Sequence, residues 1–191
     1  IVDSDCRSHF QHAQGEGPVV FACKQVGPPP GFGAQQKWID VDLDAQILTM
    51  YEGAQPIFVT LVTTGRRGES KTPTGTFEIV RKKAIGDLKS KDGVRRPYFV
   101  GDVPWIQFFH EGYALHSTYW HNRFGKVGSH GCVNLSMKDA ARLFAWTTPE
   151  VPAGWNWRYR REGERDRGTP VVIRSASRDE QDAPSAPEGA V

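Results

Sequence analysis

The sequence predicts a mainly-β domain with one principal helix, on three observations. Short apolar runs, several alternating with polar residues, recur between turn-forming residues, as strands do. Glycine and proline are frequent, 20 and 13 of 191 residues, and 11% of the chain is aromatic, which suits turn-rich sheets better than a helical bundle. Only one segment carries a start signal, a helical apolar period and a stop signal together. The length fits one ordinary domain with tails, able to bury a core without disulfide staples.

The elements follow in order. Residues 1–36 are poorly periodic and read as an extended N-terminal arm, with one apolar island at Val19-Val20-Phe21-Ala22 and a stiff Pro-rich connector at Val26-Gly27-Pro28-Pro29-Pro30-Gly31. Trp38-Ile39-Asp40-Val41-Asp42-Leu43 and Gln46-Ile47-Leu48-Thr49-Met50-Tyr51 form a hairpin turning at Asp44-Ala45. Pro56 to Val62 and Gly75 to Val80 are further strands. The charged stretch from Arg81 to Arg96 reads as a solvated loop or a flap. Trp105 to Phe109 and Tyr113 to His116 are strands joined by a turn at His110-Glu111-Gly112. Ser136 is an N-cap with Asp139 at the third helical position, Ala140, Leu143 and Phe144 share a face, and Pro149 and Pro152 stop the helix. Thr169 to Ile173 closes the domain. Composition predicts a disordered tail over 176–191, leaving about 37–175 as the folded domain.

Lys and Arg number 24 and Asp and Glu 22, a net charge of +2; nothing here points to nucleic acid. No run approaches the roughly 18 apolar residues that cross a bilayer. The chain opens Ile1-Val2-Asp3-Ser4 without a visible leader, as a processed protein would. Of three cysteines, Cys6 and Cys23 are candidates to pair, leaving Cys132 as a free thiol.

The chemistry concentrates in Gly128-Ser129-His130-Gly131-Cys132-Val133-Asn134-Leu135, with His116-Ser117 upstream. A cysteine attacks as thiolate, and a free thiol pKa of about 8.5 leaves little of it at neutral pH, so an imidazole must take the proton. Two histidines qualify. His130 is two positions away, and a loop over 117–128 allows His116 to lie opposite Cys132; spacing leaves both open. Gly131 permits close backbone approach, and its N–H and that of Cys132 are candidates to meet a developing oxyanion. The helix start after the motif is expected to favour thiolate modestly. Zinc bound by His116, His121, His130 and Cys132 fits no common ligand spacing.

These residues resemble the signature of the L,D-transpeptidase catalytic domain, the YkuD type. Trp38 to Leu43 with Gln46-Ile47-Leu48, and Thr63-Thr64-Gly65 followed by Thr72-Pro73-Thr74-Gly75-Thr76-Phe77, resemble other segments of that family in the same order. The resemblance covers about 37–175. It implies a β-sandwich-like catalytic domain with its principal α-helix after the catalytic cysteine. It implies a peptidoglycan enzyme whose cysteine takes an acyl group from a tetrapeptide stem, releasing D-alanine, and passes it to an acceptor amine. Carried over by position, Cys132 is the nucleophile and His116 the base, oriented by the Ser117 carbonyl. His130, Gly131 and Cys132 line the oxyanion hole, and Ser129 and Asn134 hold the loop or the substrate. The implied partners are peptidoglycan stem peptides, the implied setting is periplasmic or otherwise extracytoplasmic, carbapenems are expected to acylate the cysteine, and no metal or organic cofactor is required. A hydrolase on the same scaffold and a non-catalytic wall-binding module are the alternatives. Tyr119, Trp120 and Trp105 are candidates for the donor groove or the core, Arg123 and Lys126 for stem carboxylates or a solvated loop, and Thr72 to Gly75 for a structural turn.

Overall fold

The alternating runs pair into two five-stranded sheets and a separate two-stranded hairpin in a computed structural model describing residues 7–10, 19–22, 25–66, 68–90, 97–160 and 167–177. The strands are β1 (Arg7–Phe10), β2 (Val19–Ala22), β3 (Lys37–Asp42), β4 (Ile47–Glu52), β5 (Gln55–Leu61), β6 (Gly75–Glu78), β7 (Arg81–Lys89), β8 (Phe99–His110), β9 (Tyr113–Ser117), β10 (Val133–Leu135), β11 (Trp157–Tyr159) and β12 (Pro170–Arg174). One helix, α1 (Met137–Trp146), follows β10. The first sheet has the order β5-β4-β3-β12-β6 and the second β10-β9-β8-β7-β11. In the second sheet every pairing is antiparallel except β10 on β9.

The core fills the space between the sheets, as the two-period patterning demands. Ile39, Val41, Leu48, Met50, Val171 and Ile173 of the first sheet belong to one buried cluster with Phe109, Leu115, Val133 and Leu135 of the second. Ala140 and Leu143 of α1 join it. The outer face of β3 is buried as well. Trp38 stacks on Tyr51 at 4.3 Å between ring centroids, and Phe32 of the connector meets Trp38 edge-on. Asp40, also on that face, is held in a bidentate pair by Arg174 at 2.8 and 3.0 Å.

Helix α1 begins as expected: the Ser136 hydroxyl accepts the Asp139 N–H at 3.1 Å, and Ala140, Leu143 and Phe144 are buried. Its other end is closed by a residue with no apolar signature. Lys82 of β7 is buried and donates to the carbonyls of Phe144 (2.6 Å) and Thr147 (2.8 Å), satisfying acceptors that a helix end leaves open.

That contact corrects the loop reading of 81–96. Arg81–Lys89 is a nine-residue strand paired along its length with β8, although 91–96 lie outside the described residues. Its inward side chain is a lysine, so the run looks solvated when it is not. The predicted arm is not extended throughout, because Arg7–Phe10 pairs with Val19–Ala22. Cys6, Cys23 and the tail beyond residue 177 lie outside the described residues.

Burial brings the Lys82 ammonium down to about 8. An unfolded lysine holds its proton to higher pH, so the wild type is expected to gain stability between about pH 8 and about 10.4. Lys82→Ala, which opens a gap and orphans two carbonyls, is expected to lower stability by about 2–4 kcal/mol at pH 7 and to abolish that slope in denaturant titrations.

Candidate active site

Cys132 and His116 are brought together by the parallel pairing of β10 on β9. The register sets Val133 against Leu115 and Asn134 against His116. Alternation then places Cys132, Asn134 and His116 on the face away from α1. Cys132 and His116 are a diagonal pair, about one strand spacing of 4.8 Å across and about 6.6 Å along the strands. Both side chains line a single cavity of about 260 Å³.

The turn before the cysteine is fixed from two sides. The Ser129 hydroxyl accepts the Gly131 N–H at 3.0 Å and donates to the Cys132 carbonyl at 2.5 Å. The Thr72 hydroxyl accepts the Gly65 N–H at 2.9 Å and donates to the Gly131 carbonyl at 2.8 Å. Gly131 has φ of 117°, and a Cβ there would lie 2.5 Å from the Tyr113 ring, so conformation and space both require glycine. Behind the turn, the Thr64 carbonyl accepts the N–H groups of Gly128 and Ser129. Thr64 is itself held by the buried amide of Gln46. The Thr72 turn is therefore structural, and its work is to hold the cysteine loop.

The histidines separate clearly. His116 is buried, and its Nδ1 lies 2.7 Å from the Ser117 carbonyl, which only a protonated Nδ1 can use. Nε2 is left as the basic nitrogen. Trp120 stacks over the ring at 5.9 Å. His130 instead turns outward and stacks on Tyr98 at 4.8 Å. His121 accepts the Arg123 N–H at Nδ1 (3.3 Å), so in its neutral form the proton sits on Nε2, 3.1 Å from the Asn134 amide. The amide stands with Nδ2 toward His121 and its buried Oδ1 without a partner; a proton on His121 Nε2 requires the amide to turn over, which brings the oxygen to His121 and leaves the NH2 unpartnered.

Burial sets the charge state of the pair. It drives the His116 imidazole down to about 4, with the Ser117 hydrogen bond opposing and His121 adding to the fall. Cys132 as a residue is half-buried, but its thiol packs among Leu88, Val100 and Ala114, and burial pushes it up to about 11. At neutral pH both groups are uncharged. The expected help from α1 does not arrive. Ser136 caps that helix four residues on, with β10 between, about 13 Å of extended chain.

The cavity draws on segments that sequence reasoning did not connect to the motif: Arg66 after β5, Leu88 of β7, and Tyr98 and Val100 at the start of β8. Trp120 and Arg123, from the loop between the two halves of the motif, line it too. Trp105 packs against Phe144 in the core, and Tyr119 bonds the Gly101 carbonyl. Neither Tyr119 nor Lys126 lines the cavity. A pattern search around the cysteine has no means of finding Tyr98, which is 34 positions upstream and meets the motif by stacking on His130. Among the described residues no group of three or more His, Cys, Asp or Glu side chains is placed to hold a metal ion.

Comparison with known proteins gives the family of the chain. The model of the L,D-transpeptidase catalytic domain, YkuD, matches residues 36–173. A putative L,D-transpeptidase YciB of Bacillus subtilis is 24% identical over 139 residues, 66% of each chain. An L,D-transpeptidase from Mycobacterium smegmatis superposes with a TM-score of 0.57 at 20% identity, over 73% of this chain and 58% of that one. The catalytic domain of the Enterococcus faecium L,D-transpeptidase gives 0.56 at 25% identity, over 73% of this chain and 97% of that one. The chain thus spans about two thirds of the curated relative's length and less of the mycobacterial structure's. Sequence match over most of the chain and a shared two-sheet fold lead to one statement: the chain belongs to the L,D-transpeptidase catalytic domain family, a family of enzymes.

Proposed function

We propose that this protein is a peptidoglycan L,D-transpeptidase that works through a thioester on Cys132, outside the cytoplasmic membrane. The observation that carries the reading is the diagonal placement of a half-buried thiol and a buried imidazole in one cavity. That imidazole is held in the tautomer that leaves Nε2 unprotonated. No described helix is long and apolar enough to cross a membrane.

The steps follow from the resting charges. Cys132 Sγ–H gives its proton to His116 Nε2 as sulfur attacks the carbonyl preceding the terminal D-alanine of a tetrapeptide stem. The Ser117 carbonyl accepts from Nδ1 and stabilises the imidazolium that forms. Negative charge on the former carbonyl oxygen faces the Cys132 N–H. The Gly131 N–H is already given to Ser129, so Cys132's own amide is the donor of choice. His116 then delivers its proton to the departing amine, the C–N bond breaks, and D-alanine leaves behind a thioester. An acceptor amine attacks that thioester, His116 takes the amine proton and returns it to sulfur, and a cross-link remains. With its amide turned over to meet the His121 Nε2–H, Asn134 presents its NH2 on the same face to hold a stem carbonyl.

Starting from two neutral groups avoids stabilising an ion pair between two buried side chains, where charge is poorly solvated. It also means that thiolate appears only as attack proceeds.

Incubated with disaccharide tetrapeptide, the wild type is expected to form cross-linked dimers and release D-alanine, and Cys132→Ala to form neither. Shortened monomers without dimers would instead favour hydrolysis. Acylation by a carbapenem, followed by intact mass, should be flat from about pH 6 to 8 and fall on the acid side towards about 4, since His116 titrates there and not at the usual 6.5. Folding stability should also drop as pH falls from about 6.5, because the unfolded histidine binds a proton that the folded one excludes. His116→Gln should shrink that drop, leaving the smaller contribution of His121 and His130, and slow acylation by about 10²–10⁴.

A further inference from the structure

The second sheet carries an aromatic surface that the chemistry at Cys132 does not use. Trp157 and Tyr159 of edge strand β11 are 52% and 48% exposed, and their rings stand edge to face at 5.4 Å. Two aromatic rings exposed side by side form an apolar surface with flat faces, the kind that stacks against a ligand.

Register shows which face they occupy. Tyr159 pairs with Arg81, Arg81 with Phe108, and Phe108 with Ala114. Cys132 completes that row, one residue before Val133, which pairs with Leu115. Trp157 pairs with Lys83, and Lys83 with Ile106, in the neighbouring row that ends at His116 and Asn134. The residues between these rows, Lys82 and Gln107, face α1 instead, through Phe144 and Thr147. The aromatic edge and the reactive thiol therefore share one face of one sheet, at its opposite ends. Between them Phe108, Ile106 and Ala114 are buried, and Arg81 bridges the edge to them. The Arg81 guanidinium lies 3.8 Å over the Phe108 ring and 5.2 Å over the Tyr159 ring, and donates to the Tyr159 hydroxyl at 2.6 Å.

We infer that Trp157 and Tyr159 bind the glycan strand from which the donor stem hangs. This rests on the reading of the site as a peptidoglycan transpeptidase. Pyranose rings in β-1,4 linkage present flat C–H faces that stack on indole and phenol rings. Lys83 and Arg81 beside them supply N–H donors for sugar oxygens. Four strand spacings put the edge about 19 Å from Cys132; the three stem residues up to the attacked carbonyl reach about 10–11 Å when extended, and the lactyl bridge and the sugar ring supply the remainder.

The test uses glycan strands stripped of stem peptides by an amidase, with the full chain and its variants. The wild type should co-sediment with these strands, Trp157→Ala and Tyr159→Ala should bind at least tenfold more weakly, and Trp157→Phe should retain binding. Release of D-alanine from a sugar-free tetrapeptide should stay within twofold of wild type in all three, which also shows that they fold. The inference is overturned if the wild type ignores stem-free glycan, or if the alanine variants bind it equally well. Failure of the wild type to release D-alanine would remove the transpeptidase reading instead, while the glycan arm would still judge the surface.

Discussion

The parallel pairing of β10 on β9 is the constraint on which the site depends. It is the only parallel contact in its sheet, and β10 is three residues long. A shift of one residue would turn Cys132 towards α1 and remove it from His116, because side chains alternate faces. So short a strand does not hold its own register. It is held by what flanks it: the Ser129 and Thr72 hydroxyls before it, α1 after it, and paired hydrogen bonds between Asn134 and Thr63 on its free edge.

The same packing that fixes the geometry sets the chemistry. Cys132 packs on one side against the apolar cluster of Leu88, Val103, Ile106, Phe108 and Ala114, and the carbonyl that orients His116 belongs to its own strand. No carboxylate takes the place of the Ser117 carbonyl. A neutral acceptor fixes the tautomer without drawing the imidazole into its charged form, and burial then dominates both groups. The proposed enzyme thus keeps a quiet thiol until a substrate carbonyl arrives, and the proton moves with the attack.

Much of the scaffold was legible because local and global preferences agree there. The β3–β4 hairpin shows its alternation directly, and α1 shows its cap, its apolar face and its stop. Strand β7 was illegible for a physical reason: of its two buried residues only Leu88 is apolar, and the other, Lys82, is held by helix carbonyls. Strand β11 alternates aromatic and polar residues, but it is three residues long and its aromatic side chains are exposed, so the alternation marks no buried face. At the site, the cysteine motif was legible as a reactive constellation, but its arrangement was not. Whether His130 or His116 approaches Cys132 depends on the left-handed Gly131 and on the Tyr98 ring that takes His130 away. Neither is encoded in the spacing between the three residues. The cavity wall at Arg66, Leu88 and Tyr98 depends on long-range contacts in the same way.

The central claim is that His116 rests neutral, with its proton on Nδ1. Nitrogen-15 NMR of histidine-labelled protein reads this directly. A protonated Nδ1 and an unprotonated Nε2 at pH 7, unchanged until the pH falls towards about 4, is the expected result. An imidazolium at pH 7, or a proton on Nε2, would contradict it.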